Sequence, residues 1–341
     1  MKLQFGHKFE DIISVENLLG AWRKFSADKK TKRDVLIFSS RLMDNIFLLH
    51  QELANHSYKH GGYQAFNISD PKPRSIHKAT VRDRLLHHAI YRQLYPFFDK
   101  TFISDSYSCR LRKATFKAID RFRKFYRIVG QNNRKTCYVL KCDIRKFFAN
   151  IDHAVLMSIL KAHIHDEKIM WLLENVMGSF NSTNRDGVGL PLGNLTSQLF
   201  VNIYMNKFDQ FMKHQLKAEY YIRYADDFVI LSQNKKSLEA ILLKIKEFLS
   251  TELKLELHPD KVSIKTLSSG IDFLGWVHFP DHRVLRTTTR NRMFINIKDK
   301  NGKPEVVQSY LGLLSHGNGK ILQKRLQRFD IVDTMAIIAT I

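Results

Sequence analysis

The chain has 341 residues, 44% of them hydrophobic, enough for a sizeable core and two or three packed subdomains. Lys and Arg number 55 against 33 Asp and Glu, so the formal charge of +22 points to a polyanion, either nucleic acid or an acidic membrane surface. No apolar run reaches the ~18 residues of a membrane span, Met1–Lys8 lacks a signal peptide's apolar stretch, and Cys109, Cys137 and Cys142 are spaced for neither a disulfide framework nor a zinc site.

Residues 8–55 read as helical, with Ile12, Ile13, Val15, Leu18, Leu19 and Trp22, then Leu42, Ile46, Leu49 and Leu53, at helical spacing. Gly61-Gly62 and Asp70-Pro71-Lys72-Pro73 punctuate a strand-like stretch. A helix is expected over 80–98, beginning near Thr80 and stopping at Pro96, and a basic helix over 114–127. Tyr138–Cys142 reads as a strand that delivers Asp143. Helices follow at 153–163 and 166–177, and a Gly-rich loop at 187–194 opens a helix over 195–215. His163 and His165 have no further ligand nearby in sequence and read as a surface pair. A helix at 236–253 and strands at 262–266 and 273–279 come next, and 285–341 reads as mainly helical.

Between the helices at 195–215 and 236–253 lies Tyr221-Ile222-Arg223-Tyr224-Ala225-Asp226-Asp227-Phe228-Val229-Ile230-Leu231. Two apolar, strand-favouring runs flank adjacent carboxylates, the pattern of a hairpin with acids at its tip. Adjacent carboxylates repel and are costly to desolvate, and hard Mg²⁺ is their usual compensation. If the strand ending at Asp143 lies beside this hairpin, the acids can hold two Mg²⁺ roughly 3.5–4 Å apart, the arrangement of in-line nucleotidyl transfer. Basic residues cluster at Arg23–Arg33, at Arg110–Arg127 and at Arg283–Arg328, a distribution suited to tracking phosphates. No internal repeat or low-complexity tract is present.

The order Asp143…Phe148, Gly189…Ser197, Tyr224-Ala225-Asp226-Asp227, His258-Pro259-Asp260-Lys261 and Phe273-Leu274-Gly275-Trp276 resembles the successive palm motifs of reverse transcriptases. Lys72-Pro73-Arg74…Thr80-Val81-Arg82-Asp83-Arg84-Leu85 and Ser106-Tyr107-Ser108-Cys109-Arg110 resemble fingers motifs of the group II intron-like bacterial branch. The resemblance covers about residues 60–280. It implies that Asp143, Asp226 and Asp227 are catalytic and, with the backbone carbonyl of Ile144, hold two Mg²⁺, for which Mn²⁺ can substitute. It implies nucleotide-binding roles for Lys72 and Arg74 on the triphosphate, Phe148 as steric gate against a 2′-hydroxyl, and Lys261 near the pyrophosphate. Phe273, Leu274, Gly275 and Trp276 match the primer grip.

One departure narrows the class. Most reverse transcriptases carry Gln-Gly and then Ser-Pro before the palm helix; here Leu192-Gly193-Asn194-Leu195-Thr196-Ser197-Gln198 puts Leu192 at the glutamine position, which the resemblance implies lies against the incoming nucleotide near its sugar and base, and Gln198 at the proline position. This resembles reverse transcriptases of diversity-generating retroelements, which copy a template-repeat RNA with errors at template adenines. The resemblance implies an α+β right-hand polymerase: an N-terminal helical extension (1–55), fingers with part of the palm (56–142), the palm with the catalytic motifs (143–280) and a small helical thumb (281–341). It also implies a structured template RNA, an RNA/cDNA duplex and a basic, helical, oligomeric accessory protein as partners, no membrane, and a cytoplasmic, bacterial or phage-encoded enzyme. At 341 residues the chain is expected to lack room for maturase or endonuclease extensions. Other expectations stay open: another bacterial reverse transcriptase, of phage-defence or group II intron type, or an idle RNA-binding subunit. An RNA-dependent RNA polymerase is disfavoured by Phe148.

Overall fold

A computed structural model describes residues 3–69, 73–182 and 185–327. The class is mixed α+β with antiparallel sheets, as expected. In chain order the elements are α1 (Phe9–Ile13), α2 (Val15–Ser26), α3 (Arg33–Ser39), α4 (Leu42–Ala54), β1 (Tyr63–Ile68), β2 (Arg74–Ala79), α5 (Val81–Phe98) and α6 (Thr115–Val129). Then come β3 (Tyr138–Asp143), α7 (His153–Lys161), α8 (Glu167–Gly178), α9 (Leu195–Gln210), β4 (Tyr221–Tyr224), β5 (Asp227–Ser232) and α10 (Lys235–Leu253). The last are β6 (Ser263–Thr266), β7 (Ile271–Phe273), β8 (Trp276–His278), β9 (Arg283–Leu285), α11 (Thr287–Asp299) and α12 (Pro304–Leu314).

The chain divides into two compact units, one of residues 1–114, 142–229 and 240–262, the other of 115–141, 230–239 and 263–341. In the first, α9 buries most of its residues from Thr196 through Asp209, and only Lys207 is exposed, so it is a central helix. Helix α5 packs against α2 and α9. Its entry is fixed by Thr80, whose Oγ1 accepts from the Asp83 N–H at 3.2 Å and donates to Asp83 Oδ2 at 2.6 Å. The expected stop at Pro96 is corrected: α5 runs on to Phe98 with Pro96 inside it. In its last turn a proline removes only one N–H, and burial of Tyr95 and Phe98 carries the helix past it. The antiparallel β1–β2 hairpin pairs Tyr63 with Ala79 through Ile68 with Arg74.

In the second unit α6 buries Ala118, Ile119, Phe122, Phe125, Tyr126 and Val129, spaced three and four apart, leaving its Lys and Arg residues on the other side. Trp276, Leu285, Met293, Ile297, Val307, Leu314 and Leu326 close the core around Ile119. The strand expected over 273–279 is corrected to a hairpin: Leu274 and Gly275 have φ of 51° and 86°, turning β7 directly into β8. Residues 283–285, of which only Leu285 falls in the stretch expected to be mainly helical, form β9, which completes the antiparallel order β7-β8-β9. Residues 328–341 of the expected helical stretch lie outside the described residues.

A four-stranded sheet has the order β4-β5-β3-β6. Phe228–Leu231 are all buried, so β5 reads as an unbroken apolar run instead of an alternating one.

Two buried histidines make acid sensitivity predictable. Burial, reinforced by the neighbouring His60, pushes His87 down to about 3. Burial likewise pushes His278 down to about 4, against the pull of its hydrogen bond to the Phe273 carbonyl. Both are neutral when folded, while the unfolded chain takes up protons below pH about 6.5. Stability is therefore whole above that pH and is lost as pH falls toward 4, by about 1.4 kcal/mol per pH unit for each ring. Urea unfolding at pH 7.5, 6 and 5 checks this; His278→Gln, which keeps a donor for the Phe273 carbonyl, is expected to flatten the slope.

Candidate active site

The strand β3 ends on Asp143, and two residues, Ala225 and Asp226, turn β4 into β5. Ala225 is left-handed, with φ of 57°. Asp227 is the first residue of β5, so only one of the paired acids sits in the turn itself. The turn is half-buried. The Ile144 N–H donates to the Asp226 carbonyl at 3.2 Å and ties the two acidic segments together. The His258 N–H donates to the Asp143 carbonyl at 2.7 Å, and the Arg145 N–H to the Glu256 carbonyl at 2.9 Å. None of these bonds uses the Ile144 carbonyl.

Lys261 Nζ donates to Asp143 Oδ1 at 2.8 Å. Burial raises the Asp226 carboxyl above the ordinary carboxylate range; the Asp143 charge adds to the rise, and Lys261 and Arg74 oppose it. The two acids thus share a local excess of negative charge, which fits a cation. Among the described residues no three His, Cys, Asp or Glu side chains gather closely enough to hold a metal ion alone. A hard divalent cation that takes one or two carboxylates completes its shell with water and substrate oxygens, and the carboxylates of Asp143 and Asp226 are oxygen donors of the kind such an ion takes.

Arg74 opens β2 and is exposed, within electrostatic reach of Asp226. Lys72 lies outside the described residues. Of the adjacent rings after Asp143, Phe147 is core, at 3% exposure, while Phe148 is half-buried and meets it edge-on at 5.6 Å. The Phe148 carbonyl accepts the Leu190 N–H at 2.8 Å, and the Leu192 carbonyl accepts the His77 N–H of β2 at 3.0 Å. Asn194 Nδ2 donates to the His77 carbonyl at 3.1 Å. Gly193 has φ of +106°, and a Cβ there would meet Ile76 Cγ2 at 2.8 Å. The loop that carries Leu192 is thereby bonded both to the segment of Phe148 and to the strand of Arg74.

The four residues matched to a primer grip belong to the second unit and differ in kind. Phe273 and Trp276 are core, Phe273 at 5.4 Å from the Phe122 ring, while Leu274 and Gly275 form the turn.

Sequence reasoning missed one group. Arg223, in the middle of apolar β4, is fully buried and forms a forked pair with Asp209 at 2.8 and 2.7 Å. Its signal was a lone cation in a strand whose other residues are apolar or aromatic, hidden by the overall charge of the chain. Arg110, placed in a basic cluster by sequence, is also internal: it pairs with Asp99 and donates to the carbonyls of Ile103 and Ser106.

The sequence pattern of the family described as reverse transcriptase (RNA-dependent DNA polymerase) matches residues 59–278. Protein YkfC of Escherichia coli (strain K12) is 25% identical over 295 residues, 74% of each chain. The group II intron-encoded protein LtrA of Lactococcus lactis subsp. cremoris is 23% identical over 287 residues, 65% of this chain and 46% of LtrA. An apo telomerase from Candida tropicalis, truncated from its C-terminal domain, is similar in structure with a TM-score of 0.48 and 14% identity, over 68% of this chain and 54% of the telomerase. The chain thus spans about half the length of the intron-encoded and telomerase proteins it matches. With the match covering 59–278 of 341 residues, the chain belongs to the reverse transcriptase family, the RNA-dependent DNA polymerases.

Proposed function

We propose that this chain is the reverse transcriptase of a diversity-generating retroelement, copying a template-repeat RNA into cDNA with errors at template adenines. The observation that carries the reading is Leu192, at the position of a glutamine in most reverse transcriptases, in a loop bonded to Phe148 and to the strand of Arg74. The broader likeness to LtrA favours a group II intron-like polymerase as the second reading. In both readings residues 1–55 are an extension of the fingers, 56–142 fingers with part of the palm, 143–280 palm and 281–341 thumb.

In this reading Asp143, Asp226 and the Ile144 carbonyl hold two Mg²⁺, with Asp227 as an auxiliary carboxylate. Bound Mg²⁺ supplies activation of a primer 3′-hydroxyl and charge stabilisation of the leaving pyrophosphate. Arg74, with Lys72, clamps the triphosphate. Lys261 gives up its contact with Asp143 as nucleotide enters and places a cation, and a transferable proton, near the pyrophosphate. The partners are a structured RNA, the RNA/cDNA duplex and a basic helical accessory protein. Two basic proteins would meet most readily on the shared polyanion.

Phe148 gates the sugar. Phe148→Ala is expected to admit ribonucleotides and lower dNTP-over-rNTP discrimination, with Phe147 left as the fully buried ring. Single-nucleotide incorporation kinetics measure this, and unchanged discrimination in an active variant would place the gate elsewhere.

The class itself is tested by sequencing cDNA made on one RNA template with the accessory protein present. An excess of errors at template adenines is expected. Errors spread evenly over the four bases would remove the diversity-generating reading and leave a reverse transcriptase of another purpose.

A further inference from the structure

We infer that Arg223 is a positioning residue for Asp226: its buried guanidinium pins the peptide unit that precedes Asp226 and so aims the carboxylate. The inference rests on the proposed role of Asp226 as a metal ligand.

The geometry uses the whole guanidinium. Nε and Nη2 hold Asp209 at 2.8 and 2.7 Å, and Nη2 also donates to Ser106 Oγ at 3.0 Å. Nη1 donates to the Ala225 carbonyl at 3.1 Å and approaches Asn202 Oδ1 at 3.4 Å. Asp209 is fixed in turn by the Tyr221 hydroxyl at 2.7 Å. The main chain of Arg223 is held too: its N–H donates to the Asp105 carbonyl, and its carbonyl accepts from the Tyr107 N–H, both at 3.0 Å.

The Ala225 carbonyl belongs to the peptide unit entering Asp226. The unit leaving Asp226 is pinned by the Ile144 N–H on the Asp226 carbonyl. With both peptide planes fixed, the direction of the Cα–Cβ bond of Asp226 is set. Ala225 adopts a left-handed conformation that non-glycine residues rarely keep unless their surroundings hold them. Stability alone does not call for this arrangement, because a buried ion pair can often be exchanged for apolar residues of similar volume without loss. A lysine offers three N–H bonds from a single point instead of five in a planar fork, so it cannot reproduce both the forked pair with Asp209 and the bond to the Ala225 carbonyl.

The test uses the full chain and three variants. Arg223→Lys keeps the charge beside Asp209. The double variant Asp209→Leu/Arg223→Met removes the ion pair while keeping volume. Asp226→Asn is the control for the site itself. Melting temperature, RNA affinity, dNTP KM, kcat, the Mg²⁺ concentration for half-maximal rate and Mn²⁺ binding by EPR are measured for each. Both Arg223 variants are expected to lose about 10–100-fold in kcat and in Mn²⁺ affinity, the usual scale for groups that orient a metal ligand. Their half-saturating Mg²⁺ should rise, with dNTP KM and RNA affinity unchanged, when each variant is assayed below its own melting transition. Wild-type rate and metal affinity in the double variant would overturn the inference. So would a loss in Arg223→Lys that merely follows its unfolded fraction at unchanged metal affinity. If Asp226→Asn polymerises normally, the reading of the site falls and this inference falls with it. If Asp226→Asn is inactive while Arg223→Lys behaves as wild type, only the inference falls.

Discussion

Asp226→Asn is expected to abolish Mg²⁺-dependent incorporation of deoxynucleotides while the folded chain keeps its affinity for RNA. Asparagine has the same shape as aspartate, so the backbone bonds that hold the turn, from Ile144 to the Asp226 carbonyl and from Arg223 to the Ala225 carbonyl, survive the change. What is lost is one of two acids that crowd each other. Burial and Asp143 already hold Asp226 above the usual carboxylate range, so removing its charge relieves repulsion and should leave stability equal or slightly higher. Activity moves the opposite way, because the charge that would hold a cation against the reacting phosphate has gone. A loss of roughly 10³-fold or more in kcat is the expected scale when a metal's charge stabilisation is removed. Primer extension on an RNA template, with a thermal melt of the same preparation, separates the two effects. A well-folded variant that still extends primers would take Asp226 out of the catalytic set.

Much of this site was legible because its parts announce themselves locally. A strand running into Asp143, and two apolar runs around Asp226-Asp227, need only short runs of strand-favouring residues and the rarity of adjacent acids between them. Thr80 before Asp83 was readable as a helix start for the same local reason. The misreadings came where tertiary contacts override local signals. Pro96 carries a strong stop signal, yet burial of Tyr95 and Phe98 extends α5 beyond it. Residues 273–279 are apolar enough for one strand, and only the left-handed pair at Leu274 and Gly275 reveals the hairpin. Phe147 and Phe148 are identical letters, and only packing separates the core ring from the half-buried one. Arg223 and Arg110 were hidden by composition: in a chain of +22, an arginine reads as surface charge unless its acid partner, distant in sequence, is known.

Leu192→Gln is expected to reduce misincorporation opposite template adenine more than opposite the other three bases. The loop around it makes the substitution a clean one. The Leu192 backbone is held by its carbonyl on the His77 N–H, Gly193 packs against Ile76 where no side chain fits, and Asn194 anchors the next residue on the His77 carbonyl. None of these contacts involves the Leu192 side chain, so glutamine should enter without moving the strand of Arg74. The change replaces an aliphatic wall with an amide able to hydrogen-bond the incoming nucleotide. One or two such contacts correspond to roughly 1–3 kcal/mol of selection, or about 5- to 150-fold. That gain alone would tighten every pairing, so the larger effect at adenine is the part that belongs to the diversity-generating reading. The assay is sequencing of cDNA from wild type and variant on one RNA template with the accessory protein present. Equal adenine error rates in the two enzymes would show that Leu192 does not set fidelity. A uniform tightening at all four bases would keep Leu192 as a fidelity residue but move adenine selection to another part of the site.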